Sequence, residues 1–232
     1  MSELGITERA SPNWDERRLP ISMIVLHYTG NADAAACIDR FCAKGGGSAP
    51  HYVVAADGGV TRLVDEWRRA WHAGAGHWRD VTDIDSAAIG INLVHPGHAA
   101  IPAPYPRAQI EATCALIDDV KRRFGITRGN IVGHSDVAPA RSRSPGELFP
   151  WDALARLRLA LPRPTKGLMD PHWSEAGFLL ALERFGYDVS NPMAAIMAFQ
   201  RRFRPEMIDG EMDAECRMIL LALLLPKPTG DD

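Results

Sequence analysis

The chain has 232 residues, 46% hydrophobic and 24% charged, with a formal net charge of −3. That balance leaves no electrostatic footprint for nucleic acid or an anionic membrane, and the longest apolar run, 219–225, is far too short to span a bilayer. Cys37, Cys42, Cys114 and Cys216 form no Cys-x-x-Cys pair and read as reduced thiols, and no signal peptide precedes the first elements, so a cytoplasmic address is expected.

Residues 1–20 are polar and read as irregular. Ile21–Leu26 is a short apolar run of β formers, a buried strand that ends on His27-Tyr28-Thr29-Gly30. Ala34–Ala43 reads as a helix stopped by Lys44 and the glycines after it. His51–Val54 and Val60–Val64, joined through Asp57-Gly58, read as a hairpin. Ala87–Val94 is a further strand. Pro106–Phe124 is an amphipathic helix, with Ile110, Cys114, Ile117, Val120 and Phe124 at spacings of three and four.

Ile131-Val132 then lead to His134 at the end of a short strand. Pro139, Pro145 and Pro150 forbid a regular helix through the next stretch, which reads as a rigid loop folding back towards His134. Asp152–Leu161 is a short helix, and 161–171 is a linker by composition. Three helical patterns follow: Ser174–Phe185, a segment opened by Asn191-Pro192 and ending at Phe203, and Asp213–Leu225.

The 133–151 loop carries Gly133, His134, Ser135, Asp136, Ala138, Pro139, Arg141, Pro145, Gly146, Phe149, Pro150 and Trp151. With the Val-Leu-His-Tyr-Thr stretch at His27 and the Ala-Trp-His-Ala-Gly stretch at His72, it resembles the zinc-dependent N-acetylmuramoyl-L-alanine amidases of the amidase-2 class. The resemblance covers about 20–160. Phe199–Pro205 and Ile208–Glu215 are similar to a peptidoglycan-binding three-helix module. It implies an α/β fold, a central mixed sheet flanked by helices, at 1–160, then the linker and a small all-α three-helix domain at 172–232. It also implies hydrolysis of the amide between the lactyl group of muramic acid and L-alanine. The partner would be a muropeptide or anhydro-muropeptide, with peptidoglycan glycan as a further partner of the C-terminal helices.

In that family the metal is Zn2+, held by two His and one Asp with water in the open position. Those positions here are His27, His134 and Ser144. The family's Glu, which moves the proton, and its Lys, which stabilises the oxyanion, are replaced by Asn92 and Ser142. An amide has no proton to exchange near neutral pH, and a neutral hydroxyl is a poor zinc ligand. Zinc binding is therefore expected to be weak or absent, and a muropeptide binder without turnover is the alternative to an amidase. Arg141, Arg143, His51, Asp136 and His95 are the neighbours that could cover these losses. His72, Trp71, Trp78, Arg141 and His51 are the expected substrate-binding residues, although His51 reads equally as a strand residue, and Trp71 also as ordinary packing with Trp78 at the solvent edge.

Overall fold

The computed structural model describes residues 5–45, 47–98, 103–164 and 168–225; positions 165–167 of the expected linker and 226–232 of the expected C-terminal domain lie outside them. Six strands form one mixed sheet: β1 (Ile6–Glu8), β3 (Met23–Tyr28), β4 (Tyr52–Val54), β5 (Val60–Arg62), β7 (Ala88–Leu93) and β8 (Ile131–Gly133). Their order is β1-β5-β4-β7-β3-β8. Only the β4–β5 hairpin is antiparallel. A separate antiparallel pair joins β2 (Trp14–Glu16) to β6 (Arg68–Ala70).

The two faces of the sheet bury different partners. Side chains alternate along a strand, so Ile24 and Leu26 face one way and Met23, Val25 and His27 the other. The first face packs with Ile89, Ile91 and Ile131 on α3 (Arg107–Phe124), through Ile110, Ile117 and Val120. Gly125, at φ 64°, closes α3 in the left-handed conformation expected of its position. On the second face Met23, Val25 and Val132 share a core with the C-terminal helices α6 (Glu175–Phe185), α7 (Pro192–Phe203) and α8 (Ala214–Leu224). A third cluster holds α1 (Ala34–Cys42) on Leu63, Val64 and Ala70.

Capping explains the helix starts. Asp33, Ser174, Asn191 and Asp213 each accept a hydrogen bond from a backbone N–H in the first turn. The shorter helices are α2 (Ile84–Ala87), α4 (His134–Val137) and α5 (Trp151–Arg156); α5 stops five residues before the expected end at Leu161.

The seam between the sheet layer and the C-terminal helices is buried and polar as well as apolar. Trp78 meets Phe185 and Tyr187 edge-on at 5.9 and 5.2 Å. The Tyr187 hydroxyl donates to Asp136 Oδ1 at 2.6 Å, and Asp136 Oδ2 accepts the Gly133 N–H at 2.7 Å. Arg202 donates to the Ile131 carbonyl and stacks on the Trp151 ring. The two segments named from the sequence therefore share one continuous core.

Three short strands were not expected. β1, β2 and β6 are three residues each and mostly polar. Their pairing is fixed by register with neighbours, and so leaves no hydrophobic alternation to read. Among the described residues no helix is long and apolar enough to cross a membrane, and all four cysteines are free.

Candidate active site

Sheet register assembles the site. His27 on β3 pairs with Asn92 on β7, and Val25 pairs with both Gly90 and Val132. Paired residues of parallel strands share a face, so His27 and Asn92 stand side by side. His134 follows β8 by two positions from Val132 and joins them on that face. The His27 and His134 rings lie 4.5 Å apart, centroid to centroid.

His72 completes the cluster from the loop after β6. Its Nδ1 lies 3.1 Å from His27 Nε2. The loop is tied down by Asp85, whose carboxylate accepts the N–H groups of His72, Ala73 and Gly74. Gly90 makes room for it: a Cβ there would stand 2.4 Å from the His72 ring.

These imidazoles are held neutral. Burial, then His134 and His72, push the His27 ring well below the usual range. Burial and the neighbouring His51 do the same to His72. Burial lowers His134 to about 4, against a hydrogen bond with the Ala73 carbonyl at 3.1 Å. A neutral ring can accept one hydrogen bond or ligate a metal through its free nitrogen.

The return of the 133–151 loop is also built from backbone. The Ser135 N–H donates to the Ser144 carbonyl at 2.8 Å, and a Cβ on Gly133 would meet Pro145 at 2.6 Å. This brings Ser142 and Ser144 together, with their hydroxyls 3.3 Å apart. Ser144 is buried; Asn92 is buried with Oδ1 lacking a hydrogen-bond partner.

The donor set differs in one member from the two-His, one-Asp set that the family resemblance implies. It offers two imidazoles from His27 and His134, and a neutral Ser144 hydroxyl engaged with Ser142. Among the described residues no group of three or more His, Cys, Asp or Glu is arranged to hold a metal. Of the neighbours that could have compensated, Arg143 is exposed in the loop, and the others are engaged elsewhere. Asp136 is taken by Gly133 and Tyr187. Arg141 Nη2 donates to the Ala73 carbonyl. His95 stacks on Tyr105 at 3.9 Å and bonds the Ala103 carbonyl.

Two expected substrate contacts need correction. His51 is fully buried: its Nδ1 accepts from the Gly90 N–H, and its Nε2 is held between Arg17 and the Arg68 carbonyl. It is a core histidine bracing the sheet. Trp78 is 3% exposed and belongs to the seam with Phe185 and Tyr187. Trp71 is half-buried. Arg141 does line an open groove of about 540 Å³, together with Tyr28, Ser142, Arg143 and, from the C-terminal helices, Asn191 and Arg201. Sequence reasoning did not single out His98, whose Nδ1 lies 3.0 Å from the Tyr28 hydroxyl and whose Nε2 lies 2.9 Å from Glu147. It sits in a loop with no motif, and nothing in the sequence signals it.

Residues 17–147 match the N-acetylmuramoyl-L-alanine amidase family. The chain belongs to that family. The likeness extends beyond the matched region. N-acetylmuramoyl-L-alanine amidase AmiD of Escherichia coli is 35% identical, over 96% of this chain and 91% of its own length. The crystal structure of AmiD in complex with its substrate anhydro-N-acetylmuramic acid-L-Ala-D-γ-Glu-L-Lys superposes with a TM-score of 0.79 at 32% identity, covering 91% of this chain and 97% of AmiD. AmpDh3 of Pseudomonas aeruginosa, in complex with anhydromuramic pentapeptide, gives 0.75 at 28% identity over 92% and 94% of the two chains. The amidase-type sheet and the C-terminal helices are thus parts of one AmiD-like architecture.

Proposed function

We propose that the chain acts on anhydro-muropeptides, presenting the amide between the lactyl group and L-alanine to the His27/His134 pair. The observation that carries this reading is the AmiD likeness across almost the whole chain, with His134 meeting the Ala73 carbonyl that Arg141, a wall residue of the open groove, also contacts. The family's reaction is hydrolysis of that amide. Zinc, when bound in the family, polarises the carbonyl and activates water.

This chain's own groups can do part of that work. The neutral His27 and His134 can orient a polar group, and the Ser142 and Ser144 hydroxyls can donate to a carbonyl oxygen. Asn92 can hold a proton donor through its open Oδ1 but cannot take up the proton. The replacement of the charged residues at 92, 142 and 144 favours a second reading, recognition of the muropeptide with little turnover.

The test follows peptide release from anhydro-N-acetylmuramic acid-L-Ala-D-γ-Glu-L-Lys by chromatography and binding by calorimetry, each with and without added zinc. Binding with release supports the amidase reading. Binding without release supports the second. Absence of binding overturns both.

A further inference from the structure

The groove beside His134 has one wall from the 133–151 loop and the other from α7. Arg141 and Arg143 stand on the loop wall and Arg201 on the helix wall. Burial disfavours the charge on Arg201, and Arg143 nearby adds to that. Arg201 is unusual for a charged residue: its side chain is 7% exposed, and its Nε has no hydrogen-bond partner. A buried guanidinium N–H left open costs free energy unless a ligand completes it. The nearest counter-charge is Glu147, 3.9 Å from that Nε and already shared with His98 at 2.9 Å. The groove therefore carries excess positive charge, with three arginines and no carboxylate among its lining residues.

We infer that this groove is a carboxylate subsite for the peptide stem, in which α7 of the C-terminal helices supplies Arg201 and the loop supplies Arg143. The inference rests on the muropeptide reading above and adds to it which part of the stem is read. In the ligand seen with AmiD, glutamate is linked through its γ-carboxyl. Its α-carboxylate is consequently free, and the terminal lysine carries a second. Guanidinium groups suit such planar anions, pairing with both oxygens at once. The C-terminal helices then act on the same ligand as the histidines do, in place of tethering the chain elsewhere.

The experiment measures binding of three synthetic ligands by calorimetry: anhydro-N-acetylmuramic acid-L-Ala-D-γ-Glu-L-Lys, the same molecule with the glutamate α-carboxylate as an amide, and the same with the lysine carboxylate as an amide. Wild type is compared with Arg143→Gln and Arg201→Gln. Arg143 is exposed, so its variant should fold normally whatever Arg201→Gln does. The expected result is a loss of about ten- to hundred-fold in affinity on amidating one carboxylate, with Arg143→Gln shrinking that discrimination to about threefold or less. Which amide weakens binding tells which carboxylate sits in the groove. Wild type that binds all three ligands equally well overturns the subsite and leaves the muropeptide reading standing. So does discrimination untouched by Arg143→Gln in a chain where Arg201→Gln is also without effect. Wild type that binds none of them overturns the muropeptide reading itself.

Discussion

Tyr187→Phe is the sharpest test of how the two segments are joined. The substitution keeps the ring contacts with Trp78 and Phe185 and removes only the hydroxyl that donates to Asp136 at 2.6 Å. Both residues are buried, so no solvent replaces the lost donor without rearrangement. A hydrogen bond to a carboxyl in such a place is worth about 1.5–3 kcal/mol. In a chain of this size each kcal/mol moves the midpoint by about 2–4 °C, so Tm should fall by roughly 3–12 °C. Because Asp136 also holds the Gly133 N–H at the start of the His134 turn, the loss should be felt on both sides of the seam. Calorimetry should show one transition that moves as a whole, and hydrogen exchange should quicken at Gly133. A shift below about 1 °C, or a separate C-terminal transition that moves alone, would refute the shared core.

Ser144→Asp is expected to raise zinc uptake at His27 and His134, read by metal analysis after dialysis. Adding Asn92→Glu and Ser142→Lys should raise peptide release about a hundredfold or more above the single variant, non-additively, as members of one catalytic unit behave; robust zinc-dependent release by the unmodified chain would oppose this. His51, buried beside Arg17, has its ring held down to about 3. Above about pH 6.5 neither folded nor unfolded chain protonates it. Between about 6.5 and 3 the unfolded chain takes up a proton that the folded chain refuses, so stability falls with falling pH by about 1.4 kcal/mol per unit. Asp85 and Asp136, both raised by burial, act in the opposite sense in the carboxylate range. Urea titrations of His51→Asn should show a correspondingly shallower acid slope than wild type; an unchanged slope would count against a buried neutral ring. Gly90→Ala should displace the His72 ring that its Cβ would meet at 2.4 Å, costing about 1–3 kcal/mol and visible as a changed His27 and His72 environment by NMR.

Much of the sheet was legible because its interior strands are apolar runs and its helices carry caps. β3, β7 and α3 stand close to where Ile21–Leu26, Ala87–Val94 and Pro106–Phe124 place them. His27, Asn92 and His134 came from matched motifs, and parallel register then put them on one face. What stayed hidden depends on contacts between distant segments. His51 and Trp78 were expected at the substrate, yet Arg17 from the N-terminal region claims one and Phe185 and Tyr187 claim the other. Arg201 lies 60 residues from Arg141 in the chain, and only packing of α7 beside the loop makes them walls of one groove.

The seam through Trp78, Tyr187 and Arg202 also bears on how a chain of this kind can change over generations. A segment hung on a solvated tether can be lost, duplicated or traded while its neighbour stays intact. Removing everything after residue 160 here would uncover Met23, Val25, Trp78 and Val132 at once and leave Asp136 without its phenolic partner. In this chain the helices are therefore part of what keeps the sheet's second face dry, and a variant lacking them would need new apolar-to-polar changes at those positions.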